Sequence, residues 1–161
     1  MNIALVAHDS RKEELKEWVK YNWRSLIPHQ LYATGTTGSI IENIDVNEGT
    51  PDPIYKPIKV NCLLSGPLGG DFQIGAMIAE GKIDLLIFFC DNLIMQGHQN
   101  DVSALTRLAS LYNIAFATNR TTADMILTSP LFNNENYHKI IPGCIDHYKH
   151  RMEKSDKENK L

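Results

Sequence analysis

The chain has 161 residues, of which 43% are hydrophobic and 22% are charged. This length fits one domain, since domains hold roughly 100–200 residues, and the composition excludes disordered, collagen-like and coiled-coil classes. With 16 basic and 19 acidic residues the net charge is −3, so the sequence predicts no nucleic-acid partner. The three cysteines (Cys62, Cys90 and Cys144) are widely spaced, as is typical of free thiols in a reducing compartment.

Targeting and membrane signals are absent from the sequence pattern. The opening residues lack the basic start and the long apolar run of a signal peptide. No window reaches the roughly 18 apolar residues of a membrane span. We therefore expect a cytoplasmic protein without a membrane partner.

Strands and helices alternate along the first half of the chain. The apolar run over 2–7 predicts a strand that is buried on both faces. Helical spacing follows over 10–22, where Ser10 and Glu13 fit a capping box. The next predicted elements are strand 30–33, helix 37–44, strand 60–64 and helix 71–81, which ends at Gly81.

The second half repeats this alternation and completes the fold prediction. Its predicted elements are strand 83–89, helix 101–113, strand 114–118, helix 121–128 and a short helix 145–152. Alternating strands and helices favour a single-domain α/β fold, with three α/β/α layers and a mostly parallel, Rossmann-like sheet. We expect this domain to cover 1–152. The proline-rich segment 45–57 is predicted to be a surface loop, and the charged segment 153–161 a disordered tail.

Polar residues collect where the predicted strands end. In open parallel sheets, ligands bind beyond the carboxyl ends of the strands. The first strand is followed by His8, Asp9 and Lys12, and the later strands by four further polar segments, at 34–38, 65–71, 91–101 and 118–119. Their coincidence at one sheet edge predicts a binding site there.

The segment Thr34-Gly35-Thr36-Thr37-Gly38 has the composition of an anion cradle. Glycines let backbone N–H groups turn toward a ligand, and threonine hydroxyls add donors at a helix N-terminus. The spacing matches neither a Walker A loop nor a dinucleotide fingerprint, so a single phosphate is the better fit. A plain strand–helix turn with a threonine cap is an equal alternative. Lys12 is either a counter-charge for that phosphate or a solvated lysine.

A second glycine-rich turn runs from Ser65 to Asp71 and includes Gly66, Gly69 and Gly70. Asp71 stands where a helix N-cap is expected, and the residues alone favour that structural role. The alternative is a general base, because a carboxylate among glycines can approach a substrate and remove a proton beside a carbonyl.

The fourth predicted strand leads to Asp91, His98 and Asp101. A histidine at a strand end can polarise a carbonyl oxygen or transfer a proton. The structural alternatives are an N-cap for Asp101 and a carboxylate that binds loop amides for Asp91. Metal-ligand spacing and a nucleophile elbow are both absent, so we predict no metal site and no acyl transfer.

Taken together, the segments that carry these groups resemble the methylglyoxal synthase family. The resemblance extends from Asn2 to about Met152 and rests on the following matches: Ile3-Ala-Leu-Val-Ala-His-Asp9, Leu31-Tyr-Ala-Thr-Gly-Thr-Thr-Gly38, Leu64-Ser-Gly-Pro-Leu-Gly-Gly-Asp71, Glu80-Gly-Lys-Ile-Asp84, Leu86-Ile-Phe-Phe89, Asp91, His98, Asp101 and Ala117-Thr-Asn119. It implies a cofactor-free lyase that converts dihydroxyacetone phosphate to methylglyoxal and inorganic phosphate, a step of a glycolytic bypass.

The resemblance also implies the roles of individual residues. Asp71 would be the base that takes the C3 proton, His98 would stabilise the enediolate, and Asp101 would orient His98. Substrate and phosphate would be bound by His8, Lys12, Thr34, Gly35, Thr36, Thr37, Ser65 and Gly66. The implied assembly is a homohexamer in which Arg151 reaches a neighbouring subunit's site, with inorganic phosphate as an allosteric inhibitor.

Two other functions share parts of this pattern. A non-catalytic regulatory domain of the same fold would bind a phosphorylated ligand, yet would not need Asp71, His98 and Asp101 together. A phosphosugar isomerase would use similar groups and yield a different product. The sequence also departs from the family, since 45–57 is an insertion and prolines expected beside Asp91 and between His98 and Asp101 are absent.

Overall fold

The computed structural model describes residues 1–47, 57–93 and 99–158, with the backbone alone for 99–101, 149 and 152–158. The strands are β1 (Asn2–Ala7), β2 (Gln30–Ala33), β3 (Val60–Cys62), β4 (Leu85–Phe89) and β5 (Ala115–Ala117). The helices are α1 (Lys12–Leu26), α2 (Gly35–Glu42), α3 (Gly70–Ala79), α4 (Gln99–Leu111), α5 (Arg120–Leu127) and α6 (Gly143–Glu158). Short 3₁₀ turns cover Asp9–Arg11 and Gly66–Leu68.

The five strands form one sheet in the order β3-β2-β1-β4-β5, and every neighbouring pair is parallel. The predicted α/β fold with a parallel sheet is therefore confirmed. The order reverses at β1, because the chain fills β2 and β3 on one side before it crosses to β4 on the other. Such a switch point opens a crevice at the carboxyl ends of the strands. In this crevice Ala7 of β1 lies opposite Phe89 of β4.

Two buried clusters pack on opposite faces of the sheet. One joins strand residues to Leu15, Trp18 and other side chains of α1, α2 and α5, while the second joins them to Ile74 of α3 and Leu105 of α4. Trp18 is fully buried, and its indole N–H donates to Asp124 of α5 at 2.7 Å. Helices thus cover both faces, which explains why β4, and β1 after Asn2, are apolar.

Several element boundaries differ from the prediction. The capping box was wrong: Ser10 lies inside the 3₁₀ turn, α1 begins at Lys12, and no side chain caps α1 at Arg11. The Ser10 hydroxyl instead donates to Asp91, across the crevice. Helix α2 begins at Gly35 instead of residue 37, because the whole Gly-Thr-Thr-Gly segment is helical.

The two segments predicted to be irregular are described only in part. Residues 48–56 of the predicted loop 45–57 lie outside the described residues, whereas Val46 in its first part is buried. Helix α6 extends to Glu158, past the predicted end at 152, and residues 159–161 lie outside the described part. Glutamate and lysine have good helix propensity, which explains the longer helix. No helix among the described residues is long and apolar enough to cross a membrane.

Candidate functional site

A cavity of about 570 Å³ opens at the carboxyl ends of the strands. It is lined by Val6, Ala7, His8, Asp9, Lys12, Thr34, Thr36, Ser65, Gly66, Pro67, Asp71 and Phe88. The cavity thus brings together polar residues that follow three different strands. Its size and mixture of apolar walls with a few convergent polar groups are typical of a small-molecule site.

His8 is fixed at the exit of β1 by three contacts with β4 and the residues that follow it. Its backbone N–H donates to the Phe89 carbonyl at 3.2 Å, and its Nδ1 accepts the backbone N–H of Asp91 at 2.7 Å. The imidazole packs edge-on against the Phe88 ring, with ring centroids 5.1 Å apart. The histidine is therefore held in one orientation at the cavity wall.

Lys12 brings a positive charge to the cavity. It is the first residue of α1, and its Nζ lies 2.5 Å from a carboxylate oxygen of Asp9. The hydrogen bond and the charge of Lys12 hold the pKa of Asp9 below its usual value. The Lys12 side chain is only 18% exposed, while the Asp9 side chain is 87% exposed. The Asp9 carboxylate also lines the cavity but is mostly exposed to solvent, so an anion in the cavity can approach the lysine.

The N-terminus of α2 forms a second wall. Thr34 occupies the N-cap position without a side-chain capping bond, and its hydroxyl lies 3.3 Å from that of the buried Thr37. Thr34 and Thr36 line the cavity, whereas Gly35 and Thr37, also predicted to bind substrate, do not. The first N–H groups of a helix have no partner within the helix, and the helix dipole favours negative charge there. This wall is suited to an anion such as phosphate.

The Ser65–Asp71 segment forms the third wall, and glycines are required at two of its positions. Gly69 has φ 95°, in the left-handed region that glycine adopts without strain. A side chain at Gly70 would overlap the Leu64 carbonyl oxygen. The Leu64 oxygen also accepts the Gly35 N–H at 3.1 Å, so the third wall is bonded directly to the second.

Asp71 is not the cap of its helix, so the N-cap interpretation was wrong. Gly69 occupies the N-cap position of α3, and Asp71 is the second helical residue. The left-handed Gly69 ends the 3₁₀ turn and starts α3 one residue earlier than expected. Asp71 is 9% exposed and lines the cavity. A carboxylate in the first turn of a helix is stabilised in its ionised form by the helix dipole.

Asp91 has the structural role that the sequence left open. Its Oδ1 accepts the backbone N–H of Leu93 at 2.9 Å, and its Oδ2 accepts the Ser10 hydroxyl at 2.5 Å. Asp91 does not line the cavity. It acts as a carboxylate that binds loop amides, at the beginning of the segment that leads to His98.

Other residues from the sequence prediction lie outside the cavity or outside the described part of the chain. His98 lies outside the described residues. The backbone makes Asp101 the third residue of α4, so the N-cap interpretation was wrong there too, and its side chain is not described. Arg151 is exposed on α6 and does not line this chain's own cavity. Asn119 caps α5, accepting the Thr122 N–H at 2.9 Å.

Some residues that build the site were missed in the sequence. Ser10 was assigned to a helix cap, although it bonds to Asp91, 81 positions away. Phe88 was predicted only as part of strand 83–89, but its buried ring also lines the cavity next to His8. The double glycine 69–70 was the available signal for a close backbone approach. Within the described part of the chain, no group of three or more His, Cys, Asp or Glu could hold a metal ion.

Comparison with known proteins identifies the family of this chain. Residues 14–118 match the MGS-like domain family. A methylglyoxal synthase of Proteus mirabilis is 50% identical over 151 residues, which covers 94% of this chain and 91% of that protein. A methylglyoxal synthase of Leptospira interrogans is 52% identical over 139 residues, covering 86% of each.

A solved structure agrees with these relatives. The crystal structure of methylglyoxal synthase from Elizabethkingia anophelis matches with a TM-score of 0.74 and 41% identity, covering 89% of each chain. Each of these matches covers 86% or more of the chain. The chain belongs to the methylglyoxal synthase family.

Proposed function

We propose that this protein is a lyase that converts dihydroxyacetone phosphate to methylglyoxal and inorganic phosphate, without a cofactor. The observation that carries the proposal is the position of Asp71. Its carboxylate lines the same cavity as Lys12 and the anion-binding turns. A base and a phosphate site within one cavity are what a phosphate-eliminating reaction needs, and the family of the chain supports this reaction.

The phosphate end of the substrate would bind where positive charge and N–H groups converge. Lys12 supplies the charge, and the first turn of α2, beginning at Thr34, supplies backbone and hydroxyl donors. The turn from Ser65 to Gly66 faces the same cavity and adds further donors. Donors that are already in place stabilise the charge that phosphate gains as it leaves.

Asp71 would begin the chemistry at the other end of the substrate. The carboxylate takes a proton from C3, and the C3–H electrons form the C2–C3 double bond of an enediolate. A proton then passes from the C3 hydroxyl to the C2 oxygen, and the C3 oxygen forms the aldehyde C=O bond. The C2–C3 electron pair shifts to a C1–C2 double bond while the C1–O bond to phosphate breaks and its electrons leave with phosphate. The products are inorganic phosphate and the enol of methylglyoxal, which gains a proton at C1 to become methylglyoxal. Following the family resemblance, we assign stabilisation of the enediolate to His98 and orientation of His98 to Asp101.

A metal-free assay tests this function directly. Purified protein is incubated with dihydroxyacetone phosphate, and methylglyoxal and phosphate are measured together. The proposal requires the two products in equal amounts. Conversion to glyceraldehyde phosphate would identify an isomerase instead, and binding without turnover would identify a regulatory phospho-ligand domain.

Asp71→Asn is the matched control for that assay, because it removes the base and keeps the size of the side chain. We expect turnover to be lost while inorganic phosphate still binds. Loss of turnover through unfolding would show as a fall in Tm. Unchanged activity per folded molecule would exclude Asp71 as the base.

We also propose that the protein acts in the cytoplasm as a homohexamer that inorganic phosphate inhibits. Exposed apolar side chains near the cavity, Leu68 and Phe72, each 70% exposed, fit a surface that another subunit covers. Arg151, which is exposed on α6, would reach a neighbouring subunit's site. Mass measurement in solution tests the hexamer. Mixing Asp71→Asn subunits with Arg151→Ala subunits tests the shared site, since hybrid assemblies should regain activity that neither variant has alone.

A further inference from the structure

Two hydrogen bonds link Ser10, Asp91 and His8 on the side of the cavity formed by β1 and β4, and a third joins Asp91 to Leu93. The Ser10 hydroxyl donates to Asp91 Oδ2 at 2.5 Å, and Asp91 Oδ1 accepts the Leu93 N–H at 2.9 Å. The backbone N–H of Asp91 then donates to His8 Nδ1 at 2.7 Å. Of these residues, His8 lines the cavity and Ser10 does not.

The last of these bonds determines the tautomer of His8. A peptide N–H can only donate, so Nδ1 must offer a lone pair, and the neutral ring carries its proton on Nε2. A protonated ring would place two N–H groups against each other at this contact. The backbone therefore selects the form of His8 in which Nε2 is the hydrogen-bond donor.

Ser10 and Asp91 hold the peptide that makes this selection. The Asp91 carboxylate bonds back to the chain two residues later, which closes the turn after β4. Ser10 connects that carboxylate to the 3₁₀ turn that follows β1, the strand that also leads to His8. A hydrogen bond from a hydroxyl to a carboxylate is shorter and stronger than one between two neutral groups. These two hydrogen bonds of the Asp91 carboxylate therefore keep the backbone N–H of Asp91 directed at the imidazole of His8.

We propose that Ser10 and Asp91 are positioning residues, which fix His8 as a neutral Nε2–H donor toward an oxygen of the phosphorylated substrate. This rests on the proposed function for the identity of the substrate. The tautomer itself follows from the hydrogen bonds and can be measured without any turnover. Ser10 acts through Asp91 and His8 and has no role in the chemical step.

The first test is nitrogen-15 NMR of the imidazole in the wild-type protein, with the His8 signals assigned from His8→Gln. The proposal requires a proton on Nε2 and none on Nδ1 at neutral pH. A proton on Nδ1, alone or together with one on Nε2, would overturn it. Because this readout needs no substrate, it remains valid if the protein fails to release phosphate from dihydroxyacetone phosphate.

The second test compares Ser10→Ala with Ser10→Thr, which keeps the hydroxyl. Ser10→Ala removes one solvent-exposed bond, so we expect kcat/KM to fall about threefold to tenfold with only a small fall in Tm. The His8 ring signals should move toward a mixture of tautomers, and Ser10→Thr should restore both readouts. A fall in kcat/KM with unchanged His8 signals, or no effect on either, would refute the positioning role.

A double variant separates action through His8 from any other effect of Ser10. In a His8→Gln background the imidazole is gone, so Ser10→Ala should lower the residual kcat/KM no further. Non-additivity of this kind is the signature of residues that act as one unit. A full additional loss in the double variant would mean that Ser10 acts by another route.

Discussion

Gly70 controls the distance between the two turns that would bind phosphate, and replacing it with alanine should damage both. The added Cβ would overlap the Leu64 carbonyl oxygen and lie 2.7 Å from the Leu64 carbonyl carbon. Carbon atoms in contact are normally about 3.5–4.0 Å apart, so the backbone must move by roughly 1 Å. The displaced segment includes the Leu64 oxygen that accepts the Gly35 N–H and the Ser65 oxygen that accepts the Gly70 N–H.

The cost of Gly70→Ala follows from these contacts. Overpacking costs about 1–3 kcal/mol, and each weakened hydrogen bond adds about 0.5–1.5 kcal/mol. Alanine returns up to about 1 kcal/mol of helix propensity. We expect a net loss of about 2–4 kcal/mol, which lowers Tm by roughly 5–15 °C for a domain of this size. A displacement of about 1 Å in a catalytic site costs on the order of 100-fold in rate, so kcat/KM should fall even in folded protein.

Gly143→Ala is the matched control for this experiment. Gly143 is also the first residue of a helix, yet a Cβ there meets nothing within 4 Å. Both variants are compared by thermal unfolding and by release of phosphate from dihydroxyacetone phosphate. The reasoning is refuted if Gly70→Ala matches Gly143→Ala within about 2 °C in Tm and about threefold in kcat/KM.

Three further predictions use the charged and nucleophilic groups. Asp71→Asn should lower kcat by at least about 1,000-fold, because it removes the base. It should leave Tm unchanged, because the side chain does not cap α3, and a large fall in Tm would contradict this. Lys12→Met should raise the pKa of Asp9 toward its usual value, as followed by carbon-13 NMR, since Lys12 is the main cause of the lowered value. The stabilisation from this pair is present above the ordinary carboxyl pKa and is lost as pH falls through the lowered one, so the Tm difference between wild type and Lys12→Met should shrink in acid. Burial raises the pKa of Cys90 to about 11, so mass spectrometry should find it unmodified by iodoacetamide at neutral pH until the protein unfolds.

The fold could be predicted because its signals are local. The apolar runs that became β1 and β4 lie in the middle of the sheet, where both faces are covered and every residue except Asn2 is hydrophobic. The order of the strands was not predicted, since the chain returns from β3 past β2 and β1 to place β4 beside β1. Helix starts were less predictable, because the residues that begin α1 and α3 respond to contacts from distant segments. Ser10 shows this, since its hydroxyl bonds to Asp91 instead of capping α1.

The site was predictable as a location and less so as an arrangement. Strand ends meet at one edge of a parallel sheet, which was enough to bring His8, Thr34 and Ser65 to one cavity. Which residues of each segment face the cavity and which are buried behind it depends on distances that a sequence does not contain. Thr36 lines the cavity while its neighbour Thr37 is buried against Thr34.

The two carboxylates that the sequence offered as helix caps show why such alternatives need a structure. Asp71 is the second residue of α3, and the backbone makes Asp101 the third residue of α4, so neither occupies the N-cap position. Burying a carboxylate until it is 9% exposed costs free energy, because it loses hydration, unless other groups stabilise its charge. A capping role would have explained why Asp71 is buried, but the N-cap residue of α3 is Gly69. A buried carboxylate without a capping role, in a cavity that Lys12 also lines, is the kind of residue that proteins retain at functional sites.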